Sequence, residues 1–455
     1  MKPLQLPDCR GFLTDYMKKA KQLLLFIALL ISSAVACKKQ TAVNPPVIPV
    51  KPDTPFINLA HLNDLYIPVV FPDGTQAAGI YIYSAWPDYH PVEATGEGFT
   101  CIDDVSRAIL VYLRNEGFIN DTAIQSKTFH LIQFILSMQA GDGYFYNFFQ
   151  SDKTINTTGV TSMATQNWWS WRALQVLTEA LPGIKNKNAT LATGMDMAIT
   201  KLIGNIKSDL ANIPQTTEIV NGITIPQWLP SGSSSDQAAT LILGLISYSD
   251  QTNDSLINAY IKKLADGILM MQKGAEAVFP YSLILSSQNQ WHAYGSDQSY
   301  ALLMAGKFFH DTAYTAAAFS EIDNFYPWLI SNGYKSGISL QFVSNQFQPI
   351  LENSYEQIAY GFRPMVFAAT EAFELTGQQK YADIAGHLAA WFLGANDASV
   401  YMYDSTSGRC FDAISTAAQV NLNSGAESTI EALLTFQRIE KYPAVMTALN
   451  GYKKK

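Results

Sequence analysis

The acidic and amide residues of this chain recur at one kind of place. Asp103 and Asp104 stand in the stretch GEGFTCIDDVSRA (96–108), where a glycine-rich loop turns into an apolar run. Five further segments repeat the order of a Gly/Ser/Thr-rich loop, an acidic or amide residue and an apolar run. The six positions, in chain order, are Asp103/Asp104, Gln166/Asn167, Asp236, Asp297, Glu356 and Glu427.

These residues have an ordinary structural interpretation and a chemical one. Thr100-x-x-Asp103 fits a capping box, and so does Ser424-x-x-Glu427. A carboxylate near a helix N-terminus is also favoured by the helix dipole. If the six helix starts converge, however, several carboxylates surround one funnel, where mutual repulsion and burial raise some pKa values and leave others low. Such a split suits acid–base chemistry on a glycosidic bond, so we expect the set to form a site.

Aromatic residues cluster near the same helix starts. Sugar rings pack their flat C–H faces on aromatic rings while their hydroxyls bind Asp, Asn, Arg and His side chains. Core packing is the alternative for a single tryptophan, but the run NWWSW (167–171) at a helix start favours a cleft lining. A lone histidine is equally compatible with a loop role. The expected substrate-binding residues are Trp168, Trp169, Trp291, His292, Asp297, Tyr355, Arg363 and Asp236.

Two arginines, Arg107 and Arg363, lie inside apolar runs and are expected to pair with carboxylates. Arg107 follows Asp103 by four residues, which is the offset of an intrahelical ion pair. If Arg107 neutralises Asp103 in this way, Asp104 is the freer carboxylate; which of the two faces the cleft stays open, and both are candidate catalytic residues.

The elements that must position these residues form an internal repeat of roughly 60–70 residues. Each apolar run is small-residue-rich on nearly all sides, which is typical of a buried helix. A second run with a charged face follows, as in AIQSKTFHLIQFILSMQ (123–139). Six buried helices alternating with six outer ones predict an all-α (α/α)6 toroid with the inner N-termini at one end. The segment LYIPVVF-PDG-GIYIYSA predicts a short β-hairpin before the toroid.

The N-terminal region is expected to lie outside the fold. Residues 17–36 combine a basic start, an apolar run of about fifteen residues and a small-residue end, which indicates a secretory signal with Met17 as its natural start. Cys37 follows in AVACKK, which resembles a bacterial lipobox, although Ala34 departs from the usual leucine. The predicted organisation is a signal region (1–36), a lipidated cysteine with a Pro-rich tether (37–56), a hairpin and rim loop (57–95) and the barrel (96–455). We expect an outer-membrane lipoprotein, periplasmic or surface-facing; a signal cut nearby that leaves Cys37 free is the alternative.

Composition excludes several classes of function. The formal net charge is −8, only 15% of residues are charged and no Lys/Arg-rich run occurs, which speaks against nucleic acid binding. Zinc-type Cys/His spacings, EF-hand loops, phosphate loops and Gly-x-Ser-x-Gly are absent from the sequence, so we expect neither metal nor cofactor. Cys101 and Cys410 either form a disulfide or remain two buried thiols. A monomer is expected.

Three motifs resemble a bacterial family of six-hairpin glycosidase-like domains, whose members occur alone or attached to glycosyltransferases. The motifs are CIDDVSRA (101–108), DGYFYNF (142–148) and WFLGANDASVYMYDSTSGRCFDAI…NLNSGAEST (391–429). The resemblance implies an (α/α)6 fold and carbohydrate chemistry. Relatives carry acidic residues where this chain has Gln166 and Asn167. The positions it marks are Asp103, Asp104, Arg107, Asp142, Phe145, Asn147, Asn396, Asp397, Asp404, Asp412, Asn423 and Glu427.

The leading hypothesis is a lipid-anchored glycoside hydrolase acting on a neutral or weakly charged oligo- or polysaccharide. Asp104 is the expected first reactive carboxylate, and Glu427 or Asp412 the second, because the last repeat closes against the first. A polysaccharide lyase, an epimerase and a non-catalytic glycan-binding lipoprotein are the alternatives. A lyase needs a Tyr or His base with cations for a uronate, whereas an epimerase usually needs central histidines.

Overall fold

Six long apolar helices form the inner ring of the barrel. The computed structural model describes residues 56–93 and 95–454, so the signal region, Cys37 and nearly all of the tether lie outside the described residues. Each inner helix contacts the next one along the chain, and the last contacts the first, which closes the ring. With helices numbered in chain order, the inner ones are α2 (Ile102–Leu113), α4 (Trp168–Lys185), α6 (Ser235–Thr252), α8 (Gln298–Phe309), α10 (Ala359–Thr376) and α12 (Ala426–Ile439).

A second helix follows each inner helix and packs outside it. The first five outer helices contact the inner helix of their own hairpin, and the sixth packs on the fifth. This alternation confirms the predicted (α/α)6 toroid. The outer helices are α3 (Thr122–Ser137), α5 (Ala189–Asn212), α7 (Ser255–Met271), α9 (Thr312–Ser331), α11 (Gln379–Ala389) and α13 (Pro443–Tyr452).

The distribution of apolar residues explains which helices are inside. In α10 every residue from Ala359 to Ala372 is buried, whereas in α7 buried residues recur on one stripe and Lys262 stays outside. An inner helix is covered by its two ring neighbours and by its outer partner, so it has no solvent face for charged residues. The few charged residues that inner helices do carry therefore need partners inside the barrel.

A short helix and a hairpin precede the ring. Helix α1 (Ala60–Leu65) runs into β1 (Tyr66–Val70), which pairs antiparallel with β2 (Gln76–Ile80) from Tyr66 opposite Ile80 to Val70 opposite Gln76. Gly74, with φ +86°, supplies the left-handed residue of the turn. The predicted hairpin is present, and β2 packs on α3.

Short strands fill the connections between the helical hairpins. They form β-ribbons and two three-stranded sheets, β11–β12–β13 and β14–β17–β18, at the end of the barrel where the inner helices begin. The strands are β3 Tyr83–Ala85, β4 His90–Val92, β5 Thr100–Cys101, β6 Phe148–Phe149, β7 Thr217–Val220, β8 Ile223–Pro226, β9 Gln272–Ala275, β10 Val278–Ile284, β11 Gln290–His292, β12 Gly337–Val343, β13 Gln346–Asn353, β14 Gln357–Ile358, β15 Tyr403–Asp404, β16 Arg409–Cys410, β17 Ala413–Thr416 and β18 Gln419–Asn421.

Cys101 and Cys410 are both buried and unbridged, so the alternative of two separate thiols holds. Among the helices of the described residues, none combines the length and the apolarity that a membrane crossing requires.

The buried carboxyl group of Glu321 belongs to an outer helix, α9, rather than to an inner one. Glu321 in α9 accepts hydrogen bonds from the backbone N–H of Ile284 (2.7 Å) and the hydroxyl of Ser299 (2.6 Å). Burial raises the pKa of Glu321 to about 7, although both hydrogen bonds oppose that rise. The folded protein therefore keeps a proton on Glu321 at pH values where the unfolded chain has released it.

Replacing Glu321 with glutamine is expected to stabilise the protein at neutral and higher pH. The folded pKa lies above the unfolded value of 4.5, so the native carboxyl destabilises the fold progressively as pH rises from 4.5 to about 7. The penalty avoided by Glu321→Gln is about 3 kcal/mol above pH 7 and vanishes below pH 4.5. Urea unfolding of both proteins at pH 4.5 and 8 measures it; equal differences at the two pH values would contradict the assignment.

Candidate active site

A cavity of about 500 Å³ opens where the inner helices begin. Most of its wall comes from the first turns of α2, α4, α10 and α12 and from the loops that lead into them, so four of the six hairpins build most of it. Tyr83, from β3, and Tyr294, from the loop before α8, also line it. Six carboxylates line it: Glu97, Asp103, Asp104, Glu356, Asp412 and Glu427. A cavity this rich in carboxylates can carry out acid–base chemistry on a bound ligand.

The two adjacent aspartates pair with arginines differently from the Asp103–Arg107 ion pair that the sequence predicted. Asp104 is buried and accepts a hydrogen bond from Arg107 Nη2 at 2.7 Å, and its side chain is only 5% exposed. Asp103 is 23% exposed, and Arg172 of α4 lies 3.1 Å from its Oδ1. Arg107 reaches Asp103 only through the backbone carbonyl. Arg107 therefore pairs with Asp104 rather than with Asp103, and although both aspartates line the cavity, Asp103 is the more exposed of the two.

Asp103 is held by an asparagine from the neighbouring loop. Asn147 donates its Nδ2 to Asp103 Oδ2 at 3.1 Å, and its Oδ1 accepts the Asp103 backbone N–H at 3.2 Å. This reciprocal pair fixes the carboxylate at the cavity wall. Asn147 is one of the positions that the resemblance marked, and its contact with Asp103 gives that position a positioning role.

Arg107 links three carboxylates across the seam of the ring. Besides Asp104, it donates to Glu431 at 2.8 Å and to Glu427 at 3.1 Å, both on α12. Burial raises the pKa of Asp104, and the guanidinium opposes that rise. Burial also acts on Glu431, yet Arg363 and Arg107 together hold the pKa of Glu431 below its usual value. One shared cation, Arg107, thus links the first inner helix, α2, to the last, α12.

Glu427 is the most exposed carboxylate of this network. Its side chain is 43% exposed, and its Oε2 accepts from both Nη atoms of Arg107 at 3.1 and 3.2 Å. The surrounding protein raises the pKa of Glu427, and Arg107 opposes that rise. Glu427 can therefore reach a ligand in the cavity while one oxygen stays anchored.

Asp412 lies beside Glu427 and differs from it electrostatically. Its Oδ1 accepts the backbone N–H of Gly425 and the hydroxyl of Ser428, both at 2.7 Å. Burial raises the pKa of Asp412 to about 6, although these two hydrogen bonds oppose that rise. No described residue forms a hydrogen bond with its Oδ2. Asp412 is thus a carboxyl group fixed by one oxygen that can carry a proton near neutral pH on the other.

Four residues predicted to bind substrate lie away from the cavity lining. Asp297 pairs with Arg363 at 2.5 Å, and Asp236 pairs with His292 at 3.0 Å, with both carboxylates buried. Trp291 is buried edge-to-face against Phe325, with 5.0 Å between ring centroids. Asp236 and Asp297 were predicted from the repeat, and Trp291 and His292 from their place near a helix start. Trp291 and His292 belong to β11, the edge strand of sheet β11–β12–β13.

Two further expected ligand contacts are also absent from the cavity lining. Arg363 borders a smaller cavity of about 40 Å³ deeper in the barrel, where Glu431 and Asp297 bind it. Tyr355 donates its hydroxyl to Asp397 at 2.8 Å and stays outside the main cavity. Both side chains support neighbouring groups rather than reach the cavity.

Trp168 and Trp169 do line the cavity, as do two tyrosines that the substrate prediction did not include. Trp169 is buried, and its indole N–H donates to the carbonyl of Met163 at 3.1 Å. Trp168 is half-buried under the Arg172 guanidinium, 5.3 Å from its ring. Tyr83 and Tyr294 are each 46% exposed at the cavity, and Tyr294 stacks on His292 at 3.7 Å. The exposed ring faces suit packing against a sugar.

Sequence reasoning missed Arg172, Glu431 and Tyr360, which complete the charged centre. Arg172 and Glu431 carried the same signal as Arg107, a charge inside an apolar run. Tyr360, the second residue of α10, gives no such signal, because tyrosines are common throughout the chain.

Other marked positions act in the surrounding loops. Asn167 caps α4 through its side chain, and exposed Gln166 precedes it, so the second helix start contributes no carboxylate. Asn423 accepts the backbone N–H of Trp86 at 3.1 Å, and Asp404 accepts the backbone N–H of Thr406 at 2.9 Å. Within residues 56–93 and 95–454, no group of three or more His, Cys, Asp or Glu side chains is arranged to hold a metal ion.

The difference in burial between Asp103 and Asp104 can be tested by substitution. Asp104→Asn is expected to lower the free energy of unfolding by about 1.5–3 kcal/mol, because it weakens a buried charge-assisted hydrogen bond. Asp103→Asn is expected to cost less than about 1 kcal/mol and to weaken binding of a cavity ligand about tenfold. Urea unfolding and glycan-binding calorimetry measure both quantities. A larger stability loss in Asp103→Asn would refute the placement.

Comparison with known proteins supports the fold. No protein-family model matches the sequence, and no curated protein is significantly similar to it. Solved structures do match. Cellobiose 2-epimerase from Bacillus thermoamylovorans B4167 is 12% identical with a TM-score of 0.54, over 80% of this chain and 92% of that one. A family 76 glycoside hydrolase from a bovine Bacteroides thetaiotaomicron strain is 10% identical with a TM-score of 0.54, over 86% and 78%.

Two more solved structures match the chain. Cellobiose 2-epimerase from Spirochaeta thermophila DSM 6192 is 10% identical with a TM-score of 0.53, over 82% of this chain and 91% of that one. The chain also matches 51% of the length of a larger GH127 beta-arabinofuranosidase, at 14% identity over 74% of this chain and a TM-score of 0.45. At such identities the similarity concerns the toroid, and the chemistry has to be argued from the cavity.

Proposed function

We propose that this protein is a glycoside hydrolase that acts on a neutral or weakly charged glycan, with Asp412 as the proton donor and Glu427 as the second carboxylate. The state of Asp412 is the observation that carries the proposal. One of its oxygens is fixed at the start of α12, the other is open, and its pKa is raised to about 6. A carboxyl group that keeps its proton near neutral pH is what a glycosidic leaving oxygen requires.

The arrangement suggests a division of work between the two carboxyl groups. Asp412 would transfer its proton to the glycosidic oxygen as the bond to the anomeric carbon breaks. Glu427, anchored by Arg107, would either take a proton from the attacking water or attack the anomeric carbon itself. Asp103 would bind a sugar hydroxyl, and the exposed faces of Tyr83 and Tyr294 would pack on the sugar rings.

The charges of the cavity favour hydrolysis over the other reactions considered. A lyase acting on a uronate needs an uncommitted cation, but Arg107 and Arg172, the two arginines that line the cavity, are each paired with carboxylates. An epimerase of this fold was expected to need central histidines, and none of the described residues lining the cavity is a histidine. The excess of carboxylates also disfavours a polyanionic substrate.

The test is incubation of the purified protein with a panel of neutral, amino-sugar and uronate glycans, followed by analysis of the products. Hydrolysis releases new reducing ends and is the expected result on at least one neutral glycan. Ultraviolet-absorbing unsaturated products would show a lyase, and a changed sugar configuration without cleavage would show an epimerase. Binding without any turnover would favour the non-catalytic lipoprotein.

Lipid anchoring is part of the same proposal, and it rests on the AVACKK sequence around Cys37. The hydrolase would be held at the outer membrane, periplasmic or surface-facing, by a lipid on that cysteine. Cys37→Ser is expected to abolish incorporation of labelled palmitate and to move the protein from the membrane fraction to the supernatant. A labelled Cys37→Ser protein would contradict the site.

A further inference from the structure

Tyr360 separates the active-site cavity from the small cavity beneath it. It is the second residue of α10, it is only 5% exposed, and it lines both cavities. Its hydroxyl accepts a hydrogen bond from Arg172 Nη2 at 2.6 Å. The floor of the cavity is therefore an aromatic side chain that is hydrogen-bonded to the Arg172 guanidinium.

Three guanidinium groups surround the ring of Tyr360. Their central carbons lie 5.0 Å (Arg107), 5.1 Å (Arg172) and 5.5 Å (Arg363) from the ring centroid. Three like charges around one point repel one another, and the negative faces of an aromatic ring offset part of that repulsion. Tyr360 is thus the common neighbour that allows the three arginines to stay close together.

Each of the three arginines fixes carboxylates on a different side of the site. Arg172 holds Asp103, as described above, and Arg107 holds Asp104 and Glu427. Arg363 holds Asp297 and shares Glu431 with Arg107. A displacement of the ring would therefore move the cations that bind Asp103 and Glu427.

The backbone opposite Tyr360 is shaped to let its hydroxyl in. A Cβ atom on Gly295 would lie 2.8 Å from the Tyr360 hydroxyl and 3.1 Å from the ring of Trp168. Gly295 also has φ +63°, in the left-handed region that favours glycine. The loop between β11 and α8 therefore leaves room for the Tyr360 hydroxyl only because residue 295 is glycine.

We propose that Tyr360 is a positioning residue of the active site, which holds Arg107, Arg172 and Arg363 as one unit and so keeps Asp103 and Glu427 in place. This inference rests on the proposed function for its catalytic consequence. It goes beyond that function because it assigns the arrangement of the three arginines to an uncharged side chain that forms a hydrogen bond with just one of them.

Two substitutions distinguish the effect of the Tyr360 ring from the effect of its hydroxyl group. Tyr360→Phe keeps the ring and removes the acceptor of Arg172, and we expect kcat/KM to fall about tenfold. Tyr360→Leu removes the ring as well. Without it the arginines move apart, the carboxylates lose their cations, and the acidic limb of the pH–activity profile should shift upward by about one pH unit or more. The matched control is Tyr326→Phe in α9, whose buried hydroxyl has no hydrogen-bond partner among the described residues.

Nuclear magnetic resonance of the arginine Nε–Hε groups gives a readout that does not depend on activity. The native protein should show slowly exchanging signals for the three buried arginines, and Tyr360→Leu should lose or shift all three, whereas Tyr326→Phe should leave them unchanged. Unchanged arginine signals and an unshifted pH profile in Tyr360→Leu would overturn the proposal. If the native protein cleaves no glycan, the proposed function fails, and the arginine signals still decide the role of Tyr360.

Discussion

Asp412→Asn is expected to lower kcat by about 10²–10⁴-fold, the range that a lost general acid costs. Asparagine can keep the hydrogen bonds from Gly425 and Ser428 through its carbonyl oxygen, so the start of α12 should stay intact. The group that is lost is the transferable proton. Because the pKa of Asp412 is raised to about 6, native activity should fall as pH rises through that value, and the variant should lack this limb.

The measurement is kcat and KM across pH 4–9, on a natural glycan and on an aryl glycoside whose phenolate leaves without protonation. The loss should be much smaller on the aryl glycoside, since that leaving group needs little help from an acid. Asp121→Asn is the matched control, because Asp121 also accepts backbone N–H groups at a helix start but lies at α3, outside the cavity. Equal losses on both substrates would show that Asp412 is not the proton donor.

Arg107→Met should give the largest loss of stability among single substitutions at the centre, about 3–5 kcal/mol. Methionine fills similar space without charge, and it leaves Asp104, Glu427 and Glu431 without their shared cation. Arg107→Lys should restore only part of the loss, because one ammonium cannot reach three carboxylates in the way that a guanidinium does. Urea unfolding at pH 7 measures both variants.

The pH dependence separates this effect from simple loss of packing. At low pH the orphaned carboxylates take up protons, so the deficit of Arg107→Met should shrink as pH falls. Adding Asp104→Asn should recover part of the loss for the same reason. The control is Arg114→Met, which breaks the half-exposed pair with Glu179 and should cost about 1 kcal/mol or less. A deficit that is constant with pH would argue for a packing defect.

The helical repeat allowed the toroid to be predicted, whereas the direction of individual side chains could not be. Arg107 lies one turn from both Asp103 and Asp104, and i+3 and i+4 pairs are equally compatible with a helix. The choice between them depends on Glu427, Glu431 and Arg172, which come from other helices. Local spacing contains no information on such long-range partners.

The starts of α6 and α8 show a second limit of prediction from sequence. Helical periodicity places Asp236 and Asp297 at equivalent helix starts, and the structure does put them there. His292 and Arg363 nevertheless bind these two carboxylates, and neither aspartate lines the cavity. The repeat does not predict these partners, because they come from other segments of the chain. Asp412 could be proposed because its motif resembled a family, although it lies in a loop rather than at a repeat position.

The unequal use of the ring has a practical consequence for handling the protein. Two of the six hairpins, α6–α7 and α8–α9, contribute no helical residue to the cavity lining. Sheet β11–β12–β13 is formed by the segments just before α8 and just after α9. The tip of β12–β13, at Ser344 and Asn345, is an exposed two-residue turn with φ +51° and +60°. Neither residue lines the cavity, so a fluorophore attached at this turn would mark the protein without altering any side chain that lines the cavity.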